Sequence, residues 1–341
     1  MFNIENITRK NIVSLTPYSS ARQEFSDEAT VWLDANENPF ETAANRYPDP
    51  YQTALKKELS SLKGLPINQI FVGNGSDEAI DLLFRAFCEP GEDKSYIFPP
   101  TYGMYEVSAN INNIETVKIS LKNDFQLPEY TAIIEKINSK GLLFICSPNN
   151  PTGNSYALSS IKKIAAAFTG LVVVDEAYID FSNAESAISL LDEVPNIVVL
   201  QTMSKAYGSA GLRLGMAFAN EQIITVLNKI KPPYNVNVLS QVEGLKVLKK
   251  RAKVIGEISL LNAEKTGLIQ RLSTISSVVK IYPSEANFLL VEFKNSDKVF
   301  TTLRSKGIII RNRTTQIKNC LRITVGSPEQ NKVLINAIKE I

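Results

Sequence analysis

The chain of 341 residues contains no histidine. That removes Ser-His-Asp and Cys-His nucleophile systems, HExxH metalloproteases and histidine-ligated zinc together, because each needs an imidazole. Proton transfer near neutral pH is left to lysine, tyrosine, a carboxylate or a bound cofactor. Cysteine is scarce. Cys88, Cys146 and Cys320 are odd in number, far apart and set in apolar stretches with no CxxC pair, so buried free thiols are expected and neither a disulfide frame nor a metal site is. An excess of one charge is also missing: 37 basic against 35 acidic residues give +2. Nothing global therefore draws in nucleic acid or an anionic membrane, and any anion must be bound locally. Long apolar runs are absent; LVVV at 171–174 is strand-sized, and the opening MFNIENITRKN lacks the apolar core of a signal peptide. A soluble cytoplasmic protein is expected.

What is present is a globular composition, 44% apolar, on a chain long enough for roughly two domains. From about residue 68, short β-rich runs alternate with helical patterns: QIFV, SDEAIDLLFRAF, SYIFP, TYGMYEVSANI, then ETVKIS. Such alternation predicts an α/β fold, a mostly parallel sheet covered by helices. LLFICS at 142–147, LVVVD at 171–175 and IVVLQT at 197–202 are continuous rather than alternating apolar runs, the mark of central strands buried on both faces. An irregular arm of some forty residues precedes this block. After Pro232 and Pro233 a long helical stretch leads to a second strand set, SVVKIYP, NFLLVEF, GIIIR and CLRITVG, interleaved with two helical patterns. The expected division is 1–40 as an arm with part of a small domain, 41–232 as a large domain, and 233–341 as connecting helix and smaller α+β domain.

Ligands of open α/β sheets bind beyond the carboxyl ends of the strands, so the residues following each strand are the candidates. After QIFV, Gly75-Ser76-Asp77 opens a helix whose free amides and positive dipole end can hold a phosphate; equally, Ser76 or Asp77 can be an ordinary N-cap. It is not a dinucleotide fingerprint, because Glu78 stands where GxGxxG needs its third glycine. After LLFIC, SPNNPTG is either a plain turn or a loop projecting Asn150 into a cleft. Asp175 ends a run that should be fully buried, where a carboxylate is costly unless paired, so it either caps the turn through EAY or meets a cationic ligand, with Tyr178 one turn on. After IVVLQT comes Ser204-Lys205 among small residues, with Arg213 close behind. Desolvation and neighbouring cations can lower a lysine's pKa until its neutral amine attacks an aldehyde. An anion nest, a buried anion, the ring of Tyr102 and an amine are together complementary to pyridoxal 5'-phosphate: phosphate to the nest, ring nitrogen to Asp175, aldehyde to Lys205.

The ordered set GSDEAI, PPTYGMY, SPNNPTG, VVVDEAY, SKAYGSAGLRLG and CLRITVG resembles the fold-type I pyridoxal-phosphate-dependent aminotransferases. LTPYSSAR (15–22), LDANENP (33–39), NRYPDP (45–50), FCEPG (87–91) and GIIIRNR (307–313) make the chain similar, over essentially its whole length, to the histidinol-phosphate aminotransferase family. The resemblance implies that Lys205 binds the cofactor aldehyde and shuttles the proton, that Asp175 keeps the ring nitrogen protonated, and that Asn150 and Tyr178 hold the ring hydroxyl while Tyr102 stacks on the ring. It implies a phosphate cup of Gly75, Ser76, Asp77, Ser204 and Arg213, closed by Tyr47 of a second subunit, and hence a homodimer. Arg322 would take the carboxylate of glutamate, with Arg311, Tyr18, Arg22 and Asn36 as further substrate contacts. Histidinol phosphate, glutamate and 2-oxoglutarate are the implied substrates. Arginine serves both carboxylate and phosphate, so Arg322 and Arg311 are expected to be reused in the two half-reactions. The family more often has phenylalanine and a larger apolar residue at Tyr207 and Ser209, and aspartate at Asn312.

The rivals are an aromatic-amino-acid aminotransferase or a threonine-phosphate decarboxylase on the same scaffold, and, in another class, a non-catalytic cofactor-binding regulator. A regulator of that kind usually carries a DNA-binding module, and the sequence offers no helix-turn-helix extension or basic stripe. An NAD-dependent dehydrogenase fails on the broken glycine fingerprint and leaves Lys205 unexplained.

Overall fold

A computed structural model describes residues 3–19 and 30–341. Seven strands form the main sheet: β1 (Ile70–Asn74), β2 (Lys94–Ile97), β3 (Glu115–Lys118), β4 (Gly141–Cys146), β5 (Leu171–Asp175), β6 (Ile197–Thr202) and β7 (Leu214–Ala219), in the order β1-β7-β6-β5-β4-β2-β3. All neighbours are parallel except β7, which runs antiparallel to both β1 and β6. The continuous apolar runs follow from burial on two sides. Val172 and Val174 face one core, with Leu55 and Leu59 of helix Thr53–Lys63 and Ile161 of helix Leu158–Ala167. Leu171 and Val173, their neighbours in the same strand, face the other, with Leu83 and Phe84 of helix Ser76–Phe87 and Ile223 of helix Glu221–Ile230. A strand whose alternate residues enter two different cores has no polar face to show.

Strand β7 is the element that the sequence pattern did not reveal. Its opening Leu-Gly-Met-Ala reads as a continuation of the small-residue loop, and glycine is a poor strand former. The glycine has a spatial cause: a Cβ added to Gly215 would lie 2.0 Å from the backbone N of Ser76 and 2.3 Å from the carbonyl C of Gly75. The strand thus lies directly against the turn that opens helix Ser76–Phe87. Because backbone cannot swing aside, Gly215→Ala should lose about 1–3 kcal/mol or more of stability, an overpacking cost, and lower the melting midpoint. Gly211→Ala, which meets nothing within 4 Å, should leave the midpoint in place.

The second sheet, β10-β11-β9-β8, is wholly antiparallel: β8 (Val278–Ile281), β9 (Phe288–Phe293), β10 (Arg311–Asn312) and β11 (Cys320–Thr324). Its core gathers Leu289, Val291, Leu321 and Ile323 with Leu268 and Leu272 of helix Arg251–Ser273 and Leu334 of helix Pro328–Lys339. The expected strand GIIIR shrinks to Arg311–Asn312. As an edge it pairs only with β11, Ile308 and Ile310 pack on the small core without ladder partners, and Ile309 is 77% exposed.

Two features shift the division expected from the sequence. The described start of the arm lies on the large sheet layer: Ile4 and Ile7 pack into its helical core, Arg9 N–H donates to the carbonyl of Ala86 at 2.9 Å, and Lys229 Nζ donates to that of Val13 at 2.9 Å. Helix Val238–Lys249 belongs to the large core through Leu248, so the small unit's packing begins within helix Arg251–Ser273. The two units meet where Glu285 N–H donates to Gly153 O at 2.7 Å and where Ala286 and Phe288 pack on Tyr178, Phe181 and Ala206. Cys88, Cys146 and Cys320 are buried and unpaired, as expected. No helix among the described residues is long and apolar enough to cross a membrane.

Candidate active site

The carboxyl ends of β4, β5 and β6, the start of helix Ser76–Phe87 and the β10–β11 edge of the small sheet enclose one cavity of about 370 Å³. That is room for a small cofactor plus part of a substrate. One wall is built for an anion. Gly75, in the left-handed region at φ 81°, is the N-cap of helix Ser76–Phe87, and no side chain caps the helix's first amides. The N-cap alternative for Ser76 or Asp77 is therefore overturned. Uncapped amides at a helix N-terminus favour anions through both their free N–H groups and the helix dipole. Asp77 instead turns its carboxylate to Arg213 Nη2 at 3.5 Å and accepts from the Tyr102 hydroxyl at 3.2 Å. Arg213 reaches the Ser204 hydroxyl at 3.5 Å, and a Cβ on Gly75 would lie 2.7 Å from Arg213 Nη2, so the bare glycine lets the guanidinium close over the nest. Glu78, which breaks the dinucleotide pattern, accepts from Asn74 N–H and, at 3.0 Å, from Asn235 Nδ2.

At the cavity floor Asp175 is 3% exposed, and both sequence readings of it are partly met. Its Oδ1 caps the turn by accepting from Ala177 N–H at 3.1 Å; its Oδ2 accepts from the Tyr105 hydroxyl at 2.6 Å. Burial pushes the carboxyl above the usual range, and those two hydrogen bonds pull it back. No lysine or arginine among the described residues forms an ion pair with it, so a buried acid facing the cavity has no cationic partner of its own. Tyr105 escaped the sequence analysis. Its ring lies flat on Phe144 at 4.5 Å and edge-on to Tyr102 at 5.4 Å, so one buried tyrosine supports both the Asp175 carboxylate and the Tyr102 ring. The available signal was nearness in the chain: Tyr105 stands in the first turn of helix Met104–Ile111, three residues after the candidate Tyr102.

Lys205 follows β6 on a loop tied to itself, Ser209 N–H donating to Met203 O and Gly208 N–H to Lys205 O, both at 3.1 Å. Its amine stands 5.7 Å from the centre of the Tyr178 ring. The surrounding protein, and then the guanidinium of Arg322, lower its proton affinity, partly offset by Asp175 and Asp77. Asn150 is buried in the SPNNPTG loop and donates to the Tyr178 hydroxyl at 3.4 Å while accepting from Arg322 Nη1, so that loop is no plain turn. Arg322 also lies over the Phe288 ring at 5.2 Å. Arg311, its register partner across β10–β11, lines the same cavity. Sequence reasoning passed over four further lining residues: Cys146, Ala177, Thr202 and Arg313.

Some candidates stand elsewhere. Gly75 shapes the nest from behind without lining the cavity. Tyr18, 68% exposed, and the exposed Asn36 do not line it, and Arg22 lies outside the described residues. Tyr47 is half exposed and stacks on Tyr234 at 4.4 Å, away from its own chain's cavity.

Residues 20–338 match the sequence profile of the family described as aminotransferase class I and II. The histidinol-phosphate aminotransferase of Christiangramia forsetii is 50% identical over 345 residues, spanning 100% of this chain and 98% of the relative. That of Flavobacterium johnsoniae is 52% identical, spanning 99% and 98%. Among solved structures, the histidinol-phosphate aminotransferase of Sinorhizobium meliloti in complex with pyridoxal-5'-phosphate superposes with a TM-score of 0.79 at 23% identity, covering 86% of this chain and 82% of that one. At that identity the likeness speaks for the fold alone.

Proposed function

The chain belongs to the class I and II aminotransferases, and from that premise we propose how its cavity works as the active site of a histidinol-phosphate aminotransferase. The reaction moves an amino group between histidinol phosphate and 2-oxoglutarate, a step of histidine biosynthesis, with pyridoxal 5'-phosphate as the resident cofactor. The observation that carries the cofactor reading is the buried Asp175 carboxylate, without an ion-pair partner among the described residues, in the same cavity as the Lys205 amine and the uncapped amides of Ser76 and Asp77. A buried anion in want of a cation fits a protonated ring nitrogen, the nest fits a phosphate, and the amine fits an aldehyde.

When bound, the cofactor supplies an aldehyde carbon and a ring that accepts the electron pair left when the substrate carbon loses its proton. Ser76, Asp77, Ser204 and Arg213 would hold the phosphate, Asp175 would keep the ring nitrogen protonated, Asn150 and Tyr178 would hydrogen-bond the ring hydroxyl, and Tyr102 would pack against the ring face. Lys205 in its neutral form takes the proton from the substrate carbon and returns it elsewhere, which the depressed proton affinity of its amine favours. Arg322, steadied by Asn150 and Phe288, binds the carboxylate of glutamate. The enzyme would work as a cytoplasmic homodimer in which Tyr47 of the partner subunit closes the phosphate cup; the half-exposed Tyr47 and the exposed Leu33 and Phe40 earlier in the chain suit such an interface.

The test is a half-reaction. Histidinol phosphate added to the cofactor-loaded protein should shift its absorbance from the visible edge to the near ultraviolet, and 2-oxoglutarate should restore it. No shift would refute the substrate and leave the cofactor standing. Carbon dioxide released without any 2-oxoglutarate would point instead to a decarboxylase.

A further inference from the structure

Three guanidiniums, Arg311, Arg313 and Arg322, face one cavity, and among the described residues no aspartate or glutamate forms an ion pair with any of them. They are not equivalent. Arg322 is held by Asn150 and lies over Phe288. Arg311 is exposed on its two-residue edge strand. Arg313 is different again: its backbone N–H is anchored to Cys320 O at 3.1 Å, and among the described residues its Nη1 has only a long contact of 3.4 Å to Gln316 Oε1 and its buried Nε has no hydrogen-bond partner. A buried charged donor without an acceptor is unfavourable, and native proteins seldom leave one so. Burial, followed by the charges of Arg322 and Arg311, brings Arg313 down to about 10. An anion in the cavity that all three line would relieve their mutual repulsion and give the Arg313 guanidinium the counter-charge it lacks among the described residues.

The amino donors differ in the anion they offer. Glutamate brings single-charge, planar carboxylates, each suited to one guanidinium. A phosphomonoester carries close to two charges and several acceptor oxygens, arranged to receive donors from more than one direction. We infer that Arg313 is a specificity-determining residue, the donor that meets the phosphate end of the amino donor and stays unused when glutamate occupies the site. The inference rests on the histidinol-phosphate reading above and deepens it. It also accounts for a third arginine, beyond the two that a shared anion site would need.

Single-turnover absorbance measurements on Arg313→Gln and Arg313→Lys, with histidinol phosphate and with glutamate, test it. Arg313→Gln should raise the half-saturating concentration of histidinol phosphate at least tenfold while the limiting rate and the glutamate half-reaction change less than about twofold. Arg313→Lys, which keeps the charge and loses the planar fork, should recover only part of that affinity. Inorganic phosphate, titrated into the cofactor-loaded proteins by calorimetry, should bind more weakly to Arg313→Gln than to wild type. Equal losses in both half-reactions, or none in either, would overturn the assignment, and the glutamate half-reaction doubles as the control for folding. Wild-type protein inert to histidinol phosphate would refute the underlying reading instead, a result separate from any change in the variants.

Discussion

Lys205→Ala should fold normally and lose transamination by on the order of 10⁴-fold or more, the upper end of what a positioned acid–base group contributes. The proposed function gives this amine two roles, the covalent hold on the cofactor aldehyde and the base that moves the substrate proton, and both would disappear together. The fold has no need of this side chain. Lys205 opens to the cavity, and its loop is fixed by the backbone hydrogen bonds of Ser209 and Gly208 rather than by the amine. Removing it also takes one positive charge away from Arg322 and Arg213, both of which oppose its protonation, so the melting midpoint of the cofactor-free protein should hold or rise. The covalent role has its own readout. After borohydride reduction and denaturation, wild type should retain the cofactor on the chain, whereas Lys205→Ala should release it. In the proposed function the neutral amine is the active form, and its proton affinity is lowered, so the wild-type rate should climb with pH through a point below that of an ordinary lysine. Retained cofactor in the reduced, denatured variant would mean that another amine does this work.

The central strands were legible because burial on both faces writes itself as uninterrupted apolar sequence, and β5 and β6 begin and end where LVVVD and IVVLQT do. That Asp175 and Lys205 line one cavity was legible for a related reason: a polar residue at or just after the end of such a run is carried to the cleft beyond the carboxyl ends of the strands. What escaped depends on distance in space between residues far apart in the chain. Gly215 looks like a loop glycine until the approach of Ser76 explains it. Tyr105 looks like an ordinary core aromatic; only the fold shows its hydroxyl 2.6 Å from a carboxylate seventy residues away. Arg313 shares a motif with Arg311, and nothing in the motif distinguishes an exposed guanidinium from one with a buried Nε. The contacts of Tyr47 lie beyond a single chain altogether.

Asp175→Asn should separate activity from stability in the direction opposite to an ordinary core mutation. Burial raises the Asp175 carboxyl above its usual range. A carboxyl whose folded-state pKa exceeds its unfolded value contributes stability at low pH and loses it as pH rises through the folded value, so the charged form is a burden on the cofactor-free protein at neutral pH. The neutral amide should therefore leave the cofactor-free melting midpoint unchanged or higher. With cofactor the sign should reverse: in the proposed function the carboxylate gains a cationic partner, so the rise in midpoint on adding pyridoxal phosphate should be smaller for the variant than for wild type. Turnover should fall on the order of 10³-fold, the scale seen when one preorganised electrostatic partner of a reacting group is removed. Tyr105→Phe gives an independent check, since it keeps the stack on Phe144 and deletes one of the donors that hold the carboxylate ionised. Its Asp175 should take up a proton at higher pH than in wild type, moving the acid limb of the pH–rate profile upward while sparing the rate on the alkaline side. A cofactor-free Asp175→Asn protein that melts well below wild type would show instead that the carboxylate serves the fold, through the Ala177 turn and the Tyr105 hydroxyl, and that the ring nitrogen finds its partner elsewhere.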